Sequence, residues 1–572
     1  MKQISTLVLV CLLLHTCALS QTPNRYDIVI DEIMADPAPV IGLPNNEWIE
    51  LKNTSTTAFN LQGWKLSDLT GQSGPMPSFI LKPDSFVIVC TSSAVTALSA
   101  FGPTISVTSF PSLDNAGDQL SLRNAQGKLI HSVAYTDKWY QNELKAAGGW
   151  SLEMIDTKNP CSGFGNWRAA IDAKGGTPGK KNSINALNAD KTSPRLLRAY
   201  ATDSLSITLV FDEPLDSLTA AAITAYTISE GIGQPQSAIP LAPAFDHVTI
   251  KTARPLLRNK VYLITVKTIT DCAGNAIASS NAVKLGLASS TDSMDLVINE
   301  ILFNPRSSGV DYVELYNRSN KISDLENIYI ANRNSAGTVS SITQLSKENY
   351  LFFPEEFIVV TTDAAIVRRD YLTLNPDAFL EVTGMPSFND DKGDVIILNG
   401  QGKIVDELAY SEKWHFKLID NPQGVALERI DQNAPTQDPG NWHSAATSVG
   451  YGTPTYKNSQ YRSNQELKGE ITLTPEIISP DNDGMDDFAT IDYIFPTPGY
   501  VANISIFDAA GRVVRYLQRN ALCGIKGNYR WDGLGEKDQK LPVGIYIIYT
   551  EVFNTDGKKK QFKNVIVLAR RN

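Results

Sequence analysis

The sequence predicts an all-β protein, a series of β-sandwich domains, on three observations. Short β-branched runs such as Phe86-Val87-Ile88-Val89, Phe357-Ile358-Val359-Val360 and Val395-Ile396-Ile397-Leu398 are bounded by turn residues such as Gln126-Gly127-Lys128 and Gln401-Gly402-Lys403. Long stretches with a 3.6-residue apolar period are missing. Large parts of the first half of the chain recur in the second. Composition agrees: 572 residues with 42% hydrophobic and 20% charged side chains describe folded globular material, long enough for about three to five domains. Lys+Arg 51 against Asp+Glu 61 leave a net charge of −10, which argues against a chain held to nucleic acid by phosphate neutralisation.

The first element is a leader, residues 1–20. Lys2 precedes the apolar run from Leu7 to Leu14, and Ala18-Leu19-Ser20 supplies small residues before a cut after Ser20. The run is too short for a permanent anchor, and no later stretch is long and apolar enough to span a bilayer. Leu14-His15-Thr16 lacks the small residue expected ahead of a lipid-modified Cys17. The expectation is an exported protein, secreted or held at the cell surface.

The repeat comes next. IVIDEIMADP (28–37) recurs as LVINEILFNP (296–305), NEWIELKN (46–53) as VDYVELYN (310–317), and NAQGKLIHSVAYTDKW (124–139) as NGQGKIVDELAYSEKW (399–414). SLEMIDTKNPCSGFGNW (151–167) recurs as ALERIDQNAPTQDPGNW (426–442), and GGTPGKKNS (175–183) as YGTPTYKNS (451–459). The Glu-Ile pair in the first block, the Glu-Leu-x-Asn block, the late Asn-Trp pair and the closing Gly-Thr-Pro resemble the lamin-tail domain, an immunoglobulin-like module of nuclear lamins and of many exported bacterial proteins. The resemblance covers 27–185 and 295–460. It implies an Ig-like sandwich in each copy and a role in protein or nucleic-acid contacts rather than catalysis.

Between the copies, 190–288 carries Ile207-Thr208-Leu209-Val210-Phe211, Tyr262-Leu263-Ile264-Thr265-Val266 and the turn Asp271-Cys272-Ala273-Gly274-Asn275. It resembles the Ig-like spacer domain of bacterial surface-layer proteins. The last segment, 467–572, holds Ser479-Pro480-Asp481-Asn482-Asp483-Gly484-Met485-Asp486-Asp487, Trp531-Asp532-Gly533 and Leu541-Pro542-Val543-Gly544. It resembles the flagellar-hook-cap type of Ig-like module and the C-terminal domain of gliding-motility-associated proteins. That resemblance implies a secretion-sorting module for the type IX export machinery.

Catalytic signatures are missing: there is no HExxH, no phosphate-binding Gly-x-x-x-x-Gly-Lys, and Gly71-Gln72-Ser73-Gly74-Pro75 departs from a nucleophile elbow at its last position. His131, His415 and His443 face Asp406, Tyr140 and Arg168 in the aligned copies, so no imidazole is shared. Carboxylates are shared: Glu32 with Glu300, and Glu50 with Glu314, followed by Asn53 and Asn317. They read either as paired acids or an oxygen-rich metal site, or as acceptors that fix the sandwich register through backbone amides. Trp139/Trp414 and Trp167/Trp442 read as sugar-stacking or core residues. Asp481, Asp483, Asp486 and Asp487 can converge on a structural calcium ion, the one cofactor the sequence suggests, or form an Asx-rich turn capped by its own side chains. Cys90 and Cys161 are both absent from the second copy, which suggests a disulfide between them, with Cys272 and Cys523 left free.

The functional expectation is a non-enzymatic interaction, adhesion or envelope-scaffold protein. Its partners would be a cell-surface or extracellular protein or polysaccharide, with nucleic acid less favoured, and the bacterial export machinery. An accessory polysaccharide- or nucleic-acid-binding protein working with secreted hydrolases is the second expectation.

Overall fold

A computed structural model describes residues 22–278, 281–462, 469–554 and 559–570, so the leader at 1–20 lies outside the described residues. The chain divides into two compact units, one of Met1–Pro255 with Tyr262–Leu285 and one of Leu256–Val261 with Gly286–Asn572. Tandem β-sandwiches make up both. Among the described residues no helix is long and apolar enough to cross a membrane.

The first sandwich pairs a six-stranded and a three-stranded sheet. The larger runs in the order Trp167–Ala169, Leu152–Met154, Ile28–Met34, Trp48–Asn53, Phe86–Cys90, Thr104–Ser106, antiparallel except for the last pair. Every residue of Ile28–Met34 and of Trp48–Asn53 is buried, which explains why these strands read as apolar runs without alternation. One face packs Ile30, Leu51 and Val87 against Leu120, Leu122 and Ile130 of the smaller sheet. The other carries Met34, Trp48, Ile88 and Cys90 beneath the short helix Val95–Leu98. A β-bulge shifts the register between Ile30 and Glu32, so Asp31 is the extra residue and turns inward beside Glu32.

The second copy repeats this plan, with Leu296–Leu302 and Tyr312–Asn317 at the sheet centre and the same bulge between Ile298 and Glu300, at Asn299. Its smaller sheet gains a strand, Val339–Gln344, beside Ile328–Arg333. The segment between the copies packs the sheet Leu196–Ala201, Ser206–Phe211, His247–Lys251, Ser237–Pro240 and the sheet Tyr226–Ile228, Tyr262–Val266, Ala282–Leu285 around buried Leu209, Ile250, Tyr226 and Ile264. In the last segment, Trp531, Tyr546, Ile506, Ile548 and Ile566 fill the space between a three-stranded and a five-stranded sheet.

The cysteine pairing differs from the sequence expectation. Cys161 bonds to Cys272, with Cα atoms 6.3 Å apart, and Cys90 is a buried free thiol. Cys90 belongs to the apolar cluster around Trp48 and Leu98, where its sulfur lies 3.8 Å from the Ile105 carbonyl. Cys161 sits in the loop after Leu152–Met154, which meets the Asp271–Asn275 turn of the following domain. Joint absence from the second copy therefore reflects two unrelated environments: Thr361, in place of Cys90, bonds to the Asp311 carbonyl, and Thr436, in place of Cys161, bonds to Arg429. Cys523 is a free buried thiol.

Candidate functional site

Three glutamates stand in a row across the large sheet of the first copy. Strand register places Glu32 directly opposite Glu153 on one side and Glu50 on the other, and all three are fully buried. No cation is bonded to any of them in the described residues. Apart from the Ser151 hydroxyl, which donates to Glu32, their donors come from one stretch of chain, the segment that closes the domain. The Thr177 amide bonds to Glu32 at 2.8 Å, the Thr177 hydroxyl to Glu153 at 2.7 Å, the Gly179 amide to Glu50, and Ser183 and the Ile184 amide to Glu153 at 2.8 and 3.1 Å. Asn182 completes the closure by donating to the Asp31 and Met154 carbonyls at 3.0 and 2.9 Å. Gly176 is required by space, since a Cβ there would lie 2.7 Å from both Glu32 Oε1 and Ser151 Oγ.

The second copy builds the same row from Glu428, Glu300 and Glu314. The Thr453 amide and hydroxyl serve Glu300, the hydroxyl also reaches Glu428, the Thr455 amide serves Glu314 at 2.6 Å, and Ser459 with the Gln460 amide serves Glu428, both at 2.8 Å. Burial, followed by mutual repulsion, raises Glu32, Glu50 and Glu314 well above the ordinary carboxylate range and Glu428 to about 8. Acids sealed beneath a closing segment have no open face for a substrate, so the matched carboxylates act as acceptors that latch the Gly-Thr-Pro segment. Glu153 and Glu428 lie inside the repeated blocks 151–167 and 426–442, and their matched position was the signal that would have completed the row.

Other candidates resolve singly. Trp139 and Trp414 are half-buried against the cores, Trp139 lying 6.2 Å from the ring of Trp167, so neither is a free stacking platform. His131 is fully buried: Nδ1 accepts from the Ile30 amide at 3.1 Å and Nε2 faces the Pro160 carbonyl at 3.1 Å, while desolvation lowers it to about 4. Asp406 takes that place in the second copy, accepting from the Ile298 amide at 2.8 Å and pairing with buried Arg429 at 3.2 Å.

In the terminal domain Asp481, Asp483 and Asp487 bring carboxylate oxygens within 4.8 Å of one another, whereas Asp486 stands outside the group. Asp487 accepts the amides of Asp481, Asn482 and Gly484 at 3.1, 2.7 and 2.9 Å, the pattern of an Asx-rich turn. A second carboxylate group joins Asp190, Glu213 and Asp271 next to the disulfide.

The terminal domain also packs on the second copy. Phe416 meets Val501 and Leu522, the Ile525 amide bonds to the Ser459 carbonyl at 2.8 Å, Ser448 Oγ lies 2.7 Å from the Tyr493 hydroxyl, and Gln460 reaches the Cys523 carbonyl at 3.4 Å.

Comparison with known proteins gives three family matches: residues 21–137 with the Lamin Tail Domain, 184–291 with the Bacterial Ig-like domain Big_5, and 472–568 with the CHU_C Type IX secretion signal domain. No curated protein matches the chain. Among solved structures, the N-terminal part of the bacterial S-layer protein SbsC is 16% identical over 29% of this chain and 44% of its own, with a TM-score of 0.16. Dimeric latent PorU from Porphyromonas gingivalis is 9% identical over 71% of this chain and 35% of its own, at 0.15. Bacteroides ovatus SGBP-B in complex with a mixed-linkage heptasaccharide is 10% identical over 90% of this chain and 87% of its own, at 0.17. At these TM-scores the likenesses carry no conclusion about this chain.

Proposed function

We propose that this chain, which carries a lamin-tail domain, a bacterial Ig-like domain and a type IX secretion signal domain, is a non-catalytic surface protein that works in adhesion or envelope scaffolding. The supporting observation is the fate of its shared polar groups. In both copies the matched carboxylates are consumed inside the fold by the closing segment, leaving the loops and outer sheet faces as the surfaces that meet a partner. The partner class this reading favours is an extracellular protein or polysaccharide. The polysaccharide-accessory reading has less support, because Trp139 and Trp414 pack on the cores.

Fractionation of cells producing the full chain, followed by binding of the purified protein to isolated envelopes, tests this reading. Surface location with saturable envelope binding and no turnover of ester, glycoside, peptide or nucleic-acid substrates is expected. Turnover abolished by Glu32→Gln or Glu300→Gln would overturn it. In the proposed reading, calcium at Asp481, Asp483 and Asp487 is structural only. It should raise the melting temperature of the terminal domain in the wild type and not in Asp483→Asn.

A further inference from the structure

Asp31 and Asn299 hold the same place in the two copies, the inward-turned residue of the bulge. In the second copy the Asn299 amide nitrogen donates to Glu314 Oε1 at 2.8 Å and to Asn458 Oδ1 at 2.7 Å. One –NH2 group thus satisfies two buried acceptors. The corresponding acceptors of the first copy are Glu50 Oε1 and Asn182 Oδ1. Both are buried without a hydrogen-bond partner, and so is Asp31 Oδ1, which belongs to the residue standing where the amide stood. The three residues are 0%, 6% and 1% exposed. The rest of the arrangement is conserved between copies: Asn182 and Asn458 donate to equivalent carbonyls, and Gly179 and Thr455 supply equivalent amides to the outer glutamate. Exchanging an amide for an isosteric carboxyl therefore removes two donors and leaves three buried oxygens without partners, which bound protons or a cation would satisfy.

We propose that Asp31 and Glu50 are carried as neutral carboxylic acids, a paired proton-binding site in which two O–H groups replace the two N–H groups of Asn299. The Glu50 proton is donated to Asp31 and the Asp31 proton to Asn182, so that each of the three oxygens gains a partner. Protons are favoured over a metal ion because Asp31 occupies the place of the amide nitrogen itself, and each partner oxygen is one that a hydrogen bond serves in the repeat. The surrounding charges act in the same direction. Asp31 is faced by Glu32 on its own strand, by Glu50 and Lys52 on the Trp48–Asn53 strand, by Glu153 on the Leu152–Met154 strand, and by Asp84 from the loop ahead of Phe86. Lys52 is the one cation of that set and is already paired with Asp84 at 3.5 Å. Desolvation, opposed by Lys52, raises Asp31 to about 7, and desolvation with Glu32 and Asp31 raises Glu50 well above its ordinary range. The two protons belong to the pair rather than to either residue.

The test compares the full chain with Asp31→Asn and with the reciprocal Asn299→Asp, by calorimetric melting across pH 4 to 8 and by the infrared carbonyl band of protonated carboxyls. Asp31→Asn restores the donors of the repeat, so its melting temperature for the first unit should exceed that of the wild type by about 5 °C or more at pH 8 and by little at pH 4, the difference growing as pH rises. The protonated-carboxyl band should weaken in the same variant. Asn299→Asp should impose the opposite pH-dependent loss on the second unit. A first unit that Asp31→Asn destabilises or unfolds, a difference independent of pH, or an unchanged infrared band would overturn the proposal. So would millimolar calcium or magnesium that raises the wild-type melting temperature and not that of Asp31→Asn, which would place a metal ion there instead.

Discussion

Glu300 and Glu428 face each other across adjacent strands and share a single hydroxyl, with Thr453 Oγ1 at 2.7 Å from one and 2.8 Å from the other. A hydroxyl has one proton to give. The two contacts compete for it, and a proton carried by one of the carboxyls would let the hydroxyl donate to one and accept from the other, in keeping with the upward shift of both acids. Thr453→Val keeps the shape and removes the shared group. It should destabilise the second unit by about 2–4 kcal/mol, read as a lower midpoint in urea at unchanged slope. Thr177→Val should do the same to the first unit, since Thr177 lies between Glu32 and Glu153.

Two titrations oppose each other in the first unit. His131 is lowered by desolvation from 6.5 to about 4, so the stability it permits is present above pH 6.5 and is lost as pH falls toward 4. Asp31 is raised from 3.8 to about 7, so its contribution is present at the acid end and is lost as pH rises through about 7. Glu32, Glu50 and Glu153 share the sign of Asp31, so each substitution is read as a difference from the wild type. Relative to wild type, Asp31→Asn should gain melting temperature as pH rises from 4 to 7, and His131→Asn, which retains an acceptor for the Ile30 amide, should lose it over the same range.

Reduction of the Cys161–Cys272 bond, or Cys161→Ser, should cost the first unit about 3–5 kcal/mol, because the bond closes a loop with a sequence separation of 111. Peptide mapping without reductant should recover the two cysteines joined. Cys90, buried and with its thiol pushed up to about 11, should resist alkylation in the native protein and react only on unfolding.

Gly524 lies so close to the second copy that a Cβ would stand 2.4 Å from the Ser459 carbonyl oxygen. If the packing couples them, the terminal domain and the second copy should melt together, and Gly524→Val should split that transition into two while both domains stay folded. A single unchanged transition would show that the packing around Ser459 and Ile525 does not couple them.

What could be read without coordinates followed from repetition. Glu32, Glu50, Glu300 and Glu314 are visible as matched positions because both copies must satisfy the same closing segment, and the all-β class follows from strands bounded by turns. The third glutamate of each row is equally matched, but its meaning depends on strand order, since Glu153 is far from Glu32 in the chain and adjacent to it in the sheet. The disulfide could not be found by comparing copies. Cys161 has its partner in a domain that occurs once, so absence from the repeat carries no information about Cys272. The bulge at Asp31 was also hidden, because a one-residue register shift leaves no mark in an apolar run where every position is buried.

The Cys161–Cys272 bond has a mechanical consequence. A load drawn along the backbone through the first unit passes from one sulfur to the other and bypasses the chain between them. That separation of 111 residues, which could otherwise pay out about 390 Å when fully extended, stays out of the line of tension. Much of the Ig-like domain would then remain slack and folded while its neighbours bear the pull, so a tether built from this chain would lengthen in fewer and smaller steps when oxidised than when reduced.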